Sequence, residues 1–418
     1  MHRLTVWLKI ALLLLPAAAS AQLTLDSAYD AARKNYPLIK QKDLIRQTAN
    51  LTIENLRKSY LPQVTLNGQA TYQSDVPGLD VPIPGFKFDA LSKDQYKIVA
   101  DVNQLIYDGG QIKQQQALQE LNATVEDQKL EVELYKLQDR INQLFLGVLF
   151  LDAQIKQVDL VKEDIQTGMR KVEAQVQNGV AFRSSLQVLQ AEDLKTGQRL
   201  IELRSNRKAL LNVLGLFMNQ ALDESTVLTS PLNVNIHQDI NRPELKLFSD
   251  QSKLLDQRYK IIHAANMPRT SVFVQGGYGR PGLDFLENKF QLYYIGGVRF
   301  TWALSGLYTK KRERQLVEVS KMINDIQKET FLFNTNTQLK QQQSEIDKLQ
   351  QLVQSDADII ALRVKIKDAA KAQLENGVIT SNDYLREVNA EDQARQTLIA
   401  HQLQLLQAQI NYTNITGK

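Results

Sequence analysis

The sequence predicts an α+β membrane protein built as an internal two-fold repeat, each half pairing two barrel-type strands with a very long helical hairpin. Three observations lead there. Leu61-Pro62 and Met267-Pro268 each open a strand of period two, and the two prolines stand 206 residues apart. Asn178-Gly179-Val180 and Asn376-Gly377-Val378 each interrupt a helical pattern too long for a compact domain, with 198 residues between the glycines. The chain also opens with an export signal. A self-similarity of this length implies two pseudo-equivalent halves. The expected organisation is a signal peptide at 1–21, a first repeat at 22–230 and a second at 231–418.

In the signal, Arg3 and Lys9 supply charge, Ile10–Leu15 the apolar core, and Ala19-Ser20-Ala21 a small-residue cleavage site. That apolar run is too short to span a bilayer, and no run of 18 apolar residues follows it, so the mature chain is expected to lack a transmembrane helix. The absence of cysteine excludes a disulfide framework, a thiolate metal site and a lipid-anchored N-terminal Cys. Without Arg3 and Lys9 the formal charge falls from +4 to +2. A nucleic-acid surface would show a clustered basic excess instead. Export combined with a non-helical membrane signal points to the outer membrane of a Gram-negative bacterium.

The first strand is expected at 62–72, where Val64, Leu66, Gly68, Ala70 and Tyr72 alternate with Gln63, Thr65, Asn67, Gln69 and Thr71. At 95–106, Tyr96, Ile98, Ala100 and Val102 oppose Gln95, Lys97, Asp101 and Asn103. At 268–278, Val272, Val274, Gly276 and Tyr278 oppose Arg269, Ser271, Gln275 and Gly277. At 290–303, Leu292, Tyr294, Gly296, Val298, Phe300 and Trp302 oppose Gln291, Tyr293, Gly297, Arg299 and Thr301. Runs of about 10–12 residues suit tilted strands crossing hydrocarbon. One apolar and one polar face, with aromatic residues near the ends, fits lipid outside and water inside. A soluble two-sided sheet would alternate likewise; the export signal and the helices favour the membrane. Four strands cannot enclose a lumen, and an open edge in lipid strands backbone groups without partners. Other copies of the chain must therefore complete the barrel.

The strands pair as hairpins. The first connection, Ser74–Lys93, contains Pro77, Gly78, Pro82, Pro84 and Gly85 and reads as a long exposed loop. The second, Gly279–Lys289, is shorter, which moves the repeat offset from 206 to 198.

The first helical hairpin is expected at 112–217 and the second at 310–412. From Ile112 to Gln177 there is no proline, and Gly147 and Gly168 are the only glycines. Apolar residues from Leu137 and Ile141 through Val172 and Val176 recur about every 3.5 positions, a coiled-coil stripe. Such a helix would be about 100 Å long. Each ends at Asn-Gly, where glycine supplies a left-handed cap. The return helices are shorter, so 26–60 and 243–265 are expected to cover the remaining length. Pro62 and Pro268 then stop those helices and redirect the chain into strands.

Chemistry-bearing motifs are sparse. Gly277-Tyr278-Gly279-Arg280-Pro281-Gly282 matches a dinucleotide fingerprint, but Pro281 and another amphipathic strand follow where a helix is needed. His2, His237, His263 and His401 are scattered, with no metal-ligand spacing. Carboxylate pairs such as Glu163-Asp164 lie on helices as solvated charge. No catalytic constellation, cofactor site or metal site is expected, and no enzyme activity.

The order of signal, helix, Leu-Pro, two amphipathic strands, Tyr107-Asp108-Gly109-Gly110, long helix, Asn-Gly tip and return helix, repeated once, resembles the TolC family of outer-membrane efflux channels. The opening Leu23-Thr24-Leu25-Asp26-Ser27-Ala28 through Asn35-Tyr36-Pro37 resembles the first helix of that family. In the second half Leu304-Ser305-Gly306-Leu307 departs from the aromatic-Asp-Gly-Gly exit. The resemblance implies a homotrimer in which twelve strands share one barrel, continued by a periplasmic α-helical tunnel. It implies a periplasmic adaptor, and through it an inner-membrane pump, as partners. The adaptor contacts would lie at the tips: Asn178, Gly179, Val180, Ala181, Asn376, Gly377, Val378 and Ile379. It also implies a periplasmic gate at Asp383, with Arg386 three residues on, where some members place a second acid. With Arg386 in place of that acid, an Asp383–Arg386 contact within or between protomers is as compatible with the sequence as a gate, and the simpler reading, that Asp383 favours a helix N-terminus, is preferred. The first-half equivalent of Asp383 is Ser185. The function expected is a passive exit duct of an efflux or type I secretion system. The alternative is a soluble periplasmic coiled-coil adaptor without pore activity.

Overall fold

The computed structural model describes residues 23–77, 91–231 and 239–417. The expected signal at 1–21, the loop residues Gly78, Pro82, Pro84 and Gly85, and His2 and His237 lie outside the described residues. In chain order the elements are α1 (Leu25–Asn35), a 3-10 turn (Pro37–Lys40), α2 (Gln41–Lys58), β1 (Gln63–Tyr72) and β2 (Asp94–Tyr107). Then come α3 (Gln111–Gln177), α4 (Arg183–Met218), α5 (Pro243–Ala265), β3 (Arg269–Arg280), β4 (Gln291–Thr301), α6 (Gly306–Glu375) and α7 (Ser381–Thr416). Two compact units result, each drawing on both halves of the sequence. One is Lys40–Lys129 with Glu244–Thr330; the other is the described part of Met1–Ile39, Leu130–Pro243 and Phe331–Lys418. Among the described residues no helix is long and apolar enough to cross a membrane.

In the first unit the strands form one antiparallel sheet in the order β1-β2-β3-β4. Because side chains alternate across a strand, the apolar set shares one face: Val64, Leu66, Ile98, Val274, Tyr278, Val298 and Phe300 are all exposed, and Leu292 is 83% exposed. A contiguous apolar face of this extent marks a surface meant for another apolar phase. On the opposite face the Asp101 carboxylate accepts from Asn67 Nδ2 at 3.2 Å and Gln275 Nε2 at 2.8 Å. That face is not uniformly polar, because Val99 and Tyr293 are buried there. Register explains it. Gly277 pairs with Tyr293 and Phe273 with Gly297, so each ring lies over a glycine. A Cβ at Gly277 would sit 2.4 Å from the Tyr293 ring. Lys97 Nζ lies 5.5 Å from the centre of that ring, and the Arg299 guanidinium 4.6 Å from that of Phe273. Strands β1 and β4 each keep one edge unpaired within the chain.

The passages between helix and strand differ between halves. Pro62 and Pro268 stand directly before β1 and β3, after α2 and α5 have ended. At the entry to α3, buried Asp108 accepts from Gly110 N at 2.8 Å and Ile112 N at 2.6 Å, satisfying donors the helix leaves free. Gly109, at φ 72°, packs so closely on Met267 that a Cβ would come within 2.4 Å. Before α6 no acid stands in the place of Asp108: Ala303, Leu304 and Ser305 precede the helix. There the chain leaves β4 at Thr301, Trp302 Nε1 donates to Asn266 O at 3.1 Å, and the helix starts at Gly306, four residues before the expected Lys310.

In the second unit, Thr24 and Ser27 form a capping box that starts α1. Leu25, Ala28 and Ala32 then pack with Ile141, Phe145 and Val148 of α3 and Leu211, Leu214 and Met218 of α4. The chain breaks at Pro37 rather than running on as one helix to Tyr60. Nearer the Asn-Gly turns, Ile165 and Val172 of α3, Leu189 of α4, Leu374 of α6 and Tyr384 and Val388 of α7 form a second core. The heptad stripe read in the sequence supplies most of the α3 residues of both.

Candidate functional site

Both tips are built alike at the backbone. Gly179 has φ 74°, its N–H donates to Val176 O at 3.1 Å, and Val180 N reaches Gln175 O at 2.8 Å. Gly377 has φ 69°, donates to Leu374 O at 3.0 Å, and Val378 N reaches Gln373 O at 2.8 Å. This is the paired-bond closure that glycine at C′ permits. Each loop leaves a large apolar residue in solvent: Val180 at the first, Val378 at the second. Asn178, Gly179, Asn376 and Gly377 are exposed as well, while Ala181 and Ile379 are half-buried. Phe182, which precedes α4 without capping it by a side chain, is 82% exposed and enlarges the apolar surface of the first tip.

The two tips are tied together. Gln175 Nε2 donates to Leu374 O at 3.1 Å and Glu375 O at 3.2 Å. Below them Tyr384 is fully buried, its hydroxyl donating to Asp164 O at 3.4 Å, and burial pushes the phenol up to about 12. Its ring passes over Gly168, where a Cβ would lie 3.0 Å from the ring edge. Lys367 of α6 bridges Asp164 of α3 at 2.7 Å and Glu391 of α7 at 2.8 Å, and Arg395 adds a second cation on Glu391 at 2.6 Å. Burial works against both charges, but the hydrogen bonds outweigh it, holding the Lys367 amine above and the Glu391 carboxyl below their ordinary values.

The structure brings Asp383 and Arg386 together within one protomer, 3.7 Å apart. Asp383 is first a cap. Its carboxylate accepts from Thr380 Oγ1 at 2.7 Å and Thr380 N at 3.2 Å, while Thr380 Oγ1 accepts from Asp383 N at 3.3 Å. The Thr380 hydrogen bonds hold the Asp383 carboxyl below its ordinary range. The first tip has no such box; Ser185 only donates its N–H to Phe182 O at 3.0 Å.

Sequence reasoning missed Phe182, Gln175, Tyr384 and the Lys367 network. Phe182 carried a signal, an aromatic residue next to an Asn-Gly turn. The network carried none, since its members meet only through tertiary packing. Among the described residues no group of His, Asp and Glu is arranged to hold a metal. The glycine-rich run at Gly277 lies on β3 and leads to β4, so no helix N-terminus stands ready for a phosphate.

The outer membrane efflux protein family matches residues 28–219. No curated protein matches the chain by sequence. Among solved structures, CusC, described for the changes that accompany folding and transmembrane channel formation, superposes with TM-score 0.66 at 13% identity, covering 95% of this chain and 93% of that one. The Campylobacter jejuni CmeC outer membrane channel gives TM-score 0.62 at 12% identity, covering 94% and 85%. The open state of the Neisseria gonorrhoeae MtrE outer membrane channel gives TM-score 0.62 at 12% identity, covering 94% and 89%. Over residues 28–219 the chain matches the outer membrane efflux protein family, and over nearly its whole length it shares the fold of these outer membrane channels.

Proposed function

We propose that this chain is one subunit of a passive outer-membrane exit duct, in which three copies close a twelve-stranded barrel and their long helices form a periplasmic tunnel. The observation that carries the reading is the sheet: its apolar face is exposed at all but Val102, and both of its edges are open. Such edges cannot persist in hydrocarbon, whereas β1 of one copy against β4 of the next removes them all. A soluble adaptor would need to bury that face on protein. The channels named above have this fold, which supports the same function here.

On this reading a periplasmic adaptor linked to an inner-membrane pump engages the tips, at Asn178–Ala181 and Asn376–Ile379, through apolar residues including Val180 and Val378. Asp383 and Arg386, at the start of α7, belong to the gate at that end. Cargo passes along the face carrying Asn67, Asp101 and Gln275.

The cysteine-free sequence offers a direct test. Single cysteines at Thr65, Asn67 or Gln69 of β1 are combined with Ile295→Cys of β4 and oxidised in membranes. A covalent trimer on a denaturing gel is expected for at least one pair. Monomers for every pair, in protein that remains folded, would remove barrel closure between copies.

A further inference from the structure

We propose that the helix-proximal rim of the sheet carries a headgroup site for an anionic phospholipid of the inner leaflet, formed by Lys310, Lys311 and Arg314 of α6 beside Tyr259 of α5. The proposal rests on the membrane reading of the sheet.

A cavity of about 420 Å³ opens between these residues. Three cations line it against one acid, Glu318. Among the described residues none of Lys310, Lys311, Arg312 or Arg314 forms an ion pair. The nearest other acid in sequence, Glu313, is already bonded to Thr309 Oγ1 at 2.8 Å. Arg314 is held in place by the Tyr259 ring, 4.7 Å from its guanidinium, yet its Nε is buried without a partner. A buried donor left unsatisfied is costly, and an acceptor of negative charge entering the cavity supplies what it lacks.

The surroundings select a lipid over a free anion. Trp302, Leu304, Leu307 and Tyr308 are exposed between the end of β4 and the cavity, continuing the apolar face of the sheet toward the cations. Aromatic residues mark the membrane–water boundary in barrels, so basic side chains one to two helical turns beyond them fall at headgroup level. A phosphodiester there meets three cations while its acyl chains follow the apolar collar. The site belongs to one half only. At the repeat offset of 198, Lys310, Arg312 and Arg314 correspond to Ile112, Gln114 and Gln116, and only Lys311 has a basic counterpart, Lys113.

The test is native mass spectrometry of the full-length chain, purified in detergent and mixed with phosphatidylglycerol or phosphatidylcholine. The wild type is expected to retain phosphatidylglycerol preferentially. Each cation near a membrane surface contributes about a fivefold preference, so Lys310→Gln/Lys311→Gln/Arg314→Gln is expected to lower retention about 100-fold. Arg312→Gln, outside the cavity, is expected to leave it nearly unchanged. Competition by glycerol phosphate at equal concentration would identify a soluble-phosphate site and overturn the lipid assignment. A wild type without preference that still forms pores in zwitterionic bilayers overturns the site and leaves the channel standing; a wild type without pores removes both.

Discussion

Replacing Lys367 by methionine probes the joint beneath the tips. Lys367 is 13% exposed and serves two carboxylates on two other helices, one of which, Glu391, is 6% exposed. Removing one partner of a buried pair costs about 3–5 kcal/mol when the remaining charge is uncompensated. Here Glu391 keeps Arg395 at 2.6 Å, and Asp164 is partly solvated. The expected loss is therefore about 2 kcal/mol, below the range for an uncompensated charge, and local opening should become about 30-fold more frequent. Amide hydrogen exchange of 161–172 and 384–395 reads this directly, with 137–148 and 211–218 as an internal control in the other core. pH supplies a second signature. The Glu391 carboxyl is held below its usual 4.5, so its contribution is present above that value and is lost as pH falls through the folded pKa. The Lys367 amine is held above 10.5, so its contribution is full below that value and is lost only at more alkaline pH. Without Lys367, burial acts on Glu391 with less opposition, and the acid loss of protection should be smaller and complete at higher pH. Exchange within twofold of wild type, with an unmoved acid limb, would refute the claim that this bridge holds the three helices together.

Three further outcomes are expected. Asp383→Ala removes the capping box and should loosen the first turn of α7 by about 1 kcal/mol; if resting conductance is also unchanged, Asp383 has no part in closure. Gly277→Val drives a side chain into the Tyr293 ring, where a Cβ alone would lie at 2.4 Å. Overpacking of this kind costs about 1–3 kcal/mol, so trimer yield in membranes should fall, and Gly277→Val/Tyr293→Ala should recover it; full yield from the single variant would count against the register described. If the tips dock an adaptor as proposed, Val180→Asp/Val378→Asp should abolish crosslinking to it while leaving the trimer intact, and undiminished crosslinking would count against the proposed tip contact.

The strands were legible because their period is two and one face is apolar throughout; each begins or ends within about two residues of its sequence bounds. The tips were legible because Asn-Gly has one geometric use at a helix end. Other features depend on partners far away in the chain. Tyr293 and Phe273 fill part of the polar face only because glycines of the adjacent strand pair with them. Lys367 meets Asp164 from 203 residues away, a distance over which helical periodicity says nothing. Asp383 shows a third kind of limit. The same residue type at the same place suits a cap or a gate, and the local geometry shows the cap. The early start of α6 goes with a contact invisible in the sequence, the Trp302 hydrogen bond back to Asn266 just after β4 ends.

On the proposed reading the exposed apolar face meets lipid and copies of the chain enclose water. Planar-bilayer conductance of the detergent-purified protein tests it most directly. Discrete, long-lived conductance steps that require the intact chain are the expected result. Protein that fractionates as soluble without detergent and produces no steps would contradict the account.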